Sequence, residues 1–63
     1  MDFIEAMQCV KEGVEIFQQS WNGEYVAMHD GTLCIRLNDG LFHPWTITAT
    51  DLANETWDTR RDG

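Results

Sequence analysis

Apolar residues recur at helical spacing over the first dozen positions: Phe3, Ala6, Met7 and Val10 fall at i, i+3, i+4 and i+7, while Glu5, Gln8, Lys11 and Glu12 fall mostly elsewhere. Asp2 stands before this run as an N-cap, and Glu5 three positions later completes a capping-box pair, so a helix starts at residue 2 or 3. Gly13 supplies the left-handed position that closes it, and the helix runs to residue 12. From Val14 the period changes to two. Val14 and Ile16 point one way, and Phe17 and Trp21 lie on the other face with Glu15 and Gln19, which predicts a strand. Asn22-Gly23 reads as a type I′ hairpin turn, because both residues accept positive φ. A second strand runs from Glu24 or Tyr25 through Val26 and Met28 to the turn dipeptide Asp30-Gly31. A third alternates Leu33, Ile35 and Leu37 against Thr32, Cys34 and Arg36. Asp39-Gly40 turns the chain again into a short fourth strand, Leu41 to His43 and Trp45 to Ile47, where Pro44 cannot donate to a ladder and marks an edge or a bulge. Thr48 and Asp51 form a second helix start with about one turn over Asp51 to Asn54, and Trp57 follows as a last short strand. The pattern predicts an α+β fold, one N-terminal helix packed on a four- to five-stranded antiparallel meander sheet. Residues 1–59 form a single domain, and residues 60–63, without an apolar anchor, form a frayed tail.

Length then changes the picture. A chain of 63 residues buries only about 60% of the surface its unfolded form exposes, which favours self-association or a larger partner. Its 43% apolar and 24% charged residues, with three Trp, three Phe and one Tyr, are the composition of a folded module. The 4 basic residues against 11 acidic ones give a net charge of -7. Two of the basic residues, Arg60 and Arg61, belong to the tail, and Lys11 with Arg36 cannot build the cationic patch that displaces counterions from a nucleic-acid backbone. That argues against direct nucleic-acid binding. It leaves a basic protein surface or a small ligand as partners. No apolar run is long enough to span a membrane, and Asp2 and Glu5 at the start argue against a leader peptide, so a cytoplasmic location is expected.

Candidate chemistry is sparse. Cys9 and Cys34 read as reduced, buried thiols, and together with His29 and His43 they lack the close spacing of a metal site, so no metal and no cofactor are expected. Ser20 has no Gly-x-Ser-x-Gly elbow, and the glycines at 13, 23, 31, 40 and 63 are accounted for by turns, a cap and the terminus rather than by phosphate-binding loops. Paired carboxylates need a pocket that separates their pKa values, and a chain this short encloses one poorly. No catalytic residue is expected, and no role is assigned to His29 or His43. The three tryptophans carry more information, because Trp21, Trp45 and Trp57 cannot all vanish into a one-layer core. Trp21, at the end of the first strand beside the Asn22 amide, is the best candidate for a stacking surface or a partner contact.

Two segments carry a resemblance. Asp2-Phe3-Ile4-Glu5-Ala6-Met7, then Lys11-Glu12-Gly13-Val14 and Ser20-Trp21-Asn22-Gly23, resemble the opening of the phage Thoeris anti-defence type two family: Phe-x-Glu-Ala, a Lys-x-Gly stop and a strand ending in Trp. Thr50-Asp51-Leu52-Ala53-Asn54-Glu55-Thr56-Trp57 is similar to that family's closing Asp-Leu-Leu-Ala-x-Asp-Trp signature, with Ala53 and Trp57 displaced by one residue. The resemblance implies a non-enzymatic phage anti-defence protein, acting in the cytoplasm of the infected bacterial host, that sequesters a cyclic nucleotide or cyclic ADP-ribose-type immune messenger. It also implies a homo-oligomer, dimer or tetramer, with ligand pockets between subunits. In that reading Trp21 stacks on a base, Asp51 accepts hydrogen bonds from a base edge or ribose, Thr48 and Thr50 donate hydroxyls, and Asn22 supplies an adaptable amide. Asp51 has an equal structural reading as a helix-start residue. This chain departs from the family in carrying Gln18 and Gln19 where a basic residue usually precedes the first Trp, and in a shorter stretch between that Trp and the Asp-Leu motif. Those departures, with the charge, support an alternative: a small acidic phage inhibitor that occupies a basic groove of a host or defence protein as a nucleic-acid mimic.

Overall fold

A reciprocal pair of hydrogen bonds sets the start of the first helix. In the computed structural model, which describes residues 1–60, the Asp2 carboxylate accepts from Glu5 N at 2.9 Å and the Glu5 carboxylate accepts from Asp2 N at 3.4 Å. Helix α1 therefore spans Phe3–Lys11, with Glu12 as its C-cap. It is closed by Gly13 at φ 93°. Gly13 N donates to Val10 O at 3.1 Å and Val14 N to Cys9 O at 3.0 Å, the two bonds of a Schellman motif.

Five strands follow: β1 (Ile16–Gln18), β2 (Tyr25–His29), β3 (Thr32–Arg36), β4 (Phe42–Pro44) and β5 (Trp57–Thr59), with helix α2 (Ala49–Ala53) before the last. The sheet is antiparallel throughout in the order β4-β3-β2-β1-β5. The α+β class holds, and the first four strands form the expected meander. The fifth joins at the far edge, beside β1, so residues 45–56 carry the chain across one end of the sheet. Pro44 lies on the edge strand β4, opposite Cys34, where its missing N–H costs no interior ladder bond. At the other edge Trp57 N donates to Met1 O at 3.2 Å and the Met1 amino group donates to Trp57 O at 3.0 Å, which covers part of β5.

The turns divide into two that follow their dipeptides and one that does not. Asp30 at φ 53° and Gly31 at φ 76° make the type I′ turn that pairs His29 with Thr32. At Asp39-Gly40, Gly40 N donates to Leu37 O at 3.0 Å and Leu37 N to Leu41 O at 3.2 Å, a type I turn closed by a glycine bulge. Asn22-Gly23, by contrast, forms no two-residue hairpin. Strand β1 ends at Gln18, residues 19–24 form a wide loop, and Asn22 does not adopt positive φ. A two-residue turn there would pair Gln19 with Val26 and place Val26 on the face of Phe17. The observed register pairs Ile16 with Val26 and puts both under α1. Burial of one continuous apolar face outranks the turn dipeptide, because a register shift by an odd number of residues sends a strand's apolar set to the wrong side.

Helix α1 covers the face that carries Ile16, Gln18, Val26 and Trp57, and Ala6, Val10, Ile16, Val26 and Trp57 form the buried core. Trp57, only 1% exposed, is its centre. Its ring meets Phe3 at 5.9 Å, Trp21 at 5.4 Å and Trp45 at 5.9 Å between centroids, all edge-on. Its Nε1 donates to Asp51 O at 3.4 Å. Gln18 is equally buried. Its side-chain oxygen accepts from Thr56 Oγ1 at 2.7 Å, and its Nε2 has no partner among the described residues.

Replacing Trp57 removes the shared partner of three aromatic rings. Trp57→Ala is expected to lower the unfolding free energy by about 3–5 kcal/mol, whereas Ile4→Ala, at a 70% exposed position, should change it by about 0.5 kcal/mol or less. Urea denaturation followed by far-ultraviolet circular dichroism measures both. Equal effects would show that Trp57 is not the keystone of the core.

Candidate functional site

The five candidate ligand residues fall into two groups separated by Trp57. Trp21 leaves the strand alternation because β1 stops at Gln18, and Trp21 N donates to Gln18 O at 2.9 Å. It was expected on the face of Phe17. Instead it turns toward the helix-covered side and packs edge-on against Trp57, while Phe17 lies opposite Asp58 on the uncovered face. Trp21 remains half-buried and lines a cavity of about 200 Å³ with Phe17, Gly23, Glu24 and Arg60. Asn22 beside it is exposed, its backbone N held by the Glu24 carboxylate at 3.1 Å.

The second group stands at the start of α2. Asp51 Oδ2 accepts from both Thr48 N and Thr48 Oγ1 at 3.0 Å, and Thr48 Oγ1 accepts from Asp51 N at 3.2 Å. The helix-start reading of Asp51 is thus realised as a full capping box. Thr50 is exposed, and its carbonyl accepts the Asn54 N–H that ends the helix. Of the five residues only Trp21 lines one of the four principal cavities of the described residues. Asp51 and Trp21 both contact the Trp57 indole, but Asp51 does not line the cavity that Trp21 lines.

A third group was not anticipated. On the face that α1 leaves uncovered, the registers bring Tyr25, Arg36 and Phe42 into one row. Tyr25 is buried there. Arg36 Nη1 donates to its hydroxyl at 3.1 Å, Phe42 approaches edge-on at 6.3 Å, and the Arg60 guanidinium lies 4.0 Å over its ring. Arg60, assigned to the tail by sequence, is held by Glu15 through two bonds, Arg60 N to Glu15 O at 2.9 Å and Arg60 Nη1 to Glu15 Oε1 at 3.0 Å. Residues 61–63 of that tail lie outside the described residues. His29 stacks on Phe42 at 4.3 Å, with the rings 7° from parallel. The signal was present in the alternation of Tyr25 with His29 and of Cys34 with Arg36, but only the register of the Asp30-Gly31 turn aligns the two strands. The thiols of Cys9 and Cys34 are free; Cys34 is buried and Cys9 half-buried, on opposite sides of the sheet.

Electrostatics tie this face to the adjacent turn. Asp39 accepts from Leu41 N at 2.8 Å and pairs with His43 Nε2 at 3.0 Å. The Leu41 N–H, and after it His43, hold the Asp39 carboxyl below its ordinary value. The Tyr25 hydroxyl, in turn, raises the already high pKa of Arg36.

Comparison with known proteins bears on the whole chain. Residues 1–59 match a family model described as Tad2-like, the Thoeris anti-defense 2-like domain. The chain is also similar to a curated protein named Thoeris anti-defense 2 from Bacillus phage SP01, 24% identical over 82 aligned residues that cover 92% of each chain. The alignment is longer than the 63 residues present here, so the relative carries insertions that this chain lacks.

The Leu37–Gly40 turn, anchored by Asp39, has a definite acid response. Because the folded pKa is lowered, the stabilisation is complete above the ordinary value of 3.8 and is lost as pH falls through the lower folded value. The Gly40 and Leu41 amide signals should therefore titrate with a midpoint below 3.8 in an NMR pH series. Asp39→Asn should abolish that titration, and a midpoint at or above the ordinary value would contradict the anchor.

Proposed function

The chain belongs to the Thoeris anti-defense 2-like domain family of phage anti-defence proteins, and we propose that it acts as a sponge, binding and sequestering a cyclic nucleotide immune messenger without cleaving it. The observation that carries this reading is the setting of Trp21. Its ring is braced by the buried Trp57 and contributes to a cavity wall beside Phe17. An indole fixed in this way can stack on a base without first giving up rotamer freedom. Held in a small pocket, the messenger meets aromatic and hydrogen-bonding groups rather than the net charge of -7.

The two groups of candidate residues do not close on one ligand within a single chain, which supports a site completed by a second copy. Self-association also fits the exposed apolar side chains. Ile4 and Leu52 together line a cavity between α1 and α2, at 70% and 59% exposure. In such an oligomer, dimer or tetramer, Asn22 and the exposed Thr50 remain available to the ligand. Asp51 and Thr48 keep only the capacity that the capping box leaves them. Binding without cleavage is part of the proposal and keeps the expectation from the sequence that the chain has no catalytic residue. The reading places the protein inside the infected bacterial cell, where the messenger is made. The acidity of the chain favours a second reading, a protein-binding inhibitor that covers a basic groove.

Native mass spectrometry against a panel of cyclic nucleotides separates the two. A stoichiometric adduct on an oligomer, weakened at least about tenfold by Trp21→Ala but much less by Trp21→Phe, is the expected result. An empty protein across the panel, or an adduct indifferent to Trp21→Ala in a variant that still folds, would sink the sponge. Salt-sensitive capture of a basic defence protein by that empty protein would establish the inhibitor in its place.

A further inference from the structure

Two of the chain's four basic residues, Arg36 and Arg60, converge on the sheet face that no helix covers, and they do so around one buried ring. Tyr25 is 6% exposed and fixed by Phe42 at its edge, so it acts as a rigid spacer between the guanidinium groups. Arg60 lies over its face at 4.0 Å, and Arg36 holds its hydroxyl at 3.1 Å. Among the described residues Arg36 pairs with no carboxylate, in a chain that has 11 acidic residues. A cavity of about 230 Å³ opens here, lined by Gly23, Tyr25, Arg36, Asn38, Gly40 and Arg60 among others. Gly40 borders the Arg36 side, where a Cβ would come within 3.8 Å of Arg36 Nη2. This cavity shares Gly23 and Arg60 with the one that Phe17 and Trp21 line.

We infer that the cavity between Arg36 and Arg60 is a seat for a phosphate or pyrophosphate group. Guanidinium groups present forked donors that match the oxygens of such an anion, and Arg36 spends a donor only on a neutral phenol. The adjoining Phe17–Trp21 cavity offers a flat apolar wall across Arg60 for the rest of a nucleotide. The seat stands on this geometry alone, whereas its occupation by a messenger rests on the sponge reading. Two carboxylates work against the seat: Glu15 holds Arg60 at 3.0 Å and acts on Arg36 as well, and Asp39, between the lining residues Asn38 and Gly40, is already engaged by Leu41 N and His43. Glu24 borders only the aromatic cavity, its carboxylate engaged by Asn22 N.

Glu15 makes the test two-sided. The chain, labelled with ¹⁵N, is titrated at constant ionic strength with sodium pyrophosphate and separately with cyclic dinucleotides, and backbone and arginine side-chain shifts are followed. Pyrophosphate should produce saturable shifts at Asn38, Gly40, Arg36 and Arg60. Arg36→Gln should weaken binding at least about tenfold, and Glu15→Gln, which frees Arg60 and removes a negative charge, should strengthen it about threefold or more. Lys11→Gln should leave it unchanged. Scattered, non-saturating shifts, or affinities indifferent to both Arg36→Gln and Glu15→Gln, would overturn the seat. Because Glu15→Gln predicts a gain, loss of fold in the arginine variant cannot imitate the expected pattern. Cyclic dinucleotide binding that ignores Arg36→Gln, with no Arg36-dependent pyrophosphate binding, would overturn the seat and leave the sponge intact. Arg36-dependent pyrophosphate binding with no dinucleotide binding would uphold the seat for free phosphate and remove the sponge.

Discussion

The packing of Trp57 is the constraint on which the rest of this small domain depends. A single three-turn helix has to cover one face of a five-stranded sheet, and the five fully buried apolar residues of that core include only one large ring. Trp57 supplies it from the last strand. The ring gathers Phe3 from α1, Trp21 from the β1–β2 loop and Trp45 from the chain beyond β4, while its Nε1 holds the first turn of α2. The backbone of the same residue bonds Met1. The first and last elements are thus fastened at one point. A fold with mostly short connections acquires one long-range closure that must form before its aromatic core can exist.

What could be read from the sequence follows the range of the interactions. The capping box of Asp2 and Glu5, the Gly13 stop, the Asp30-Gly31 turn and the edge position of Pro44 each depend on residues within a few positions of one another, and each forms as expected. The Asn22-Gly23 hairpin is equally local but fails, because a nonlocal demand, the common burial of Ile16 and Val26, sets the register. The place of β5 beside β1 and the central role of Trp57 depend on contacts about forty residues apart in the chain, which periodicity cannot express. The candidate site divides in the same way. Asp51 as a helix-start residue was legible from the spacing to Thr48. The row of Tyr25, Arg36 and Phe42 becomes visible only once three strands are in register.

Net charge proves a poor guide to this surface. The chain carries -7, yet the uncovered sheet face concentrates two guanidinium groups on one phenol ring. Coulomb forces act most strongly at contact distance and are screened by salt beyond it, so the local arrangement of Arg36, Arg60 and Glu15 matters more to this face than the total charge. The excess of acid remains relevant to longer range. It opposes approach to nucleic-acid backbones and to other copies of the chain unless specific contacts offset the repulsion.

The two sides of the sheet also differ in how far function can change without cost to the fold. Trp21 belongs to both: one side of its ring environment is the core partner Trp57, and the other is a cavity wall. Any change there alters the packing of the core along with the cavity wall, so this position cannot be varied independently of stability. Arg36, Glu15 and Arg60 stand on the opposite face, separated from the core by the sheet itself, and their polar contacts are with Tyr25 and with one another. Substitutions among them can retune the surface while the aromatic core stays in place. In a chain of 63 residues, where nearly every large ring is committed to packing, that uncovered face is the part of the molecule with most freedom to diverge.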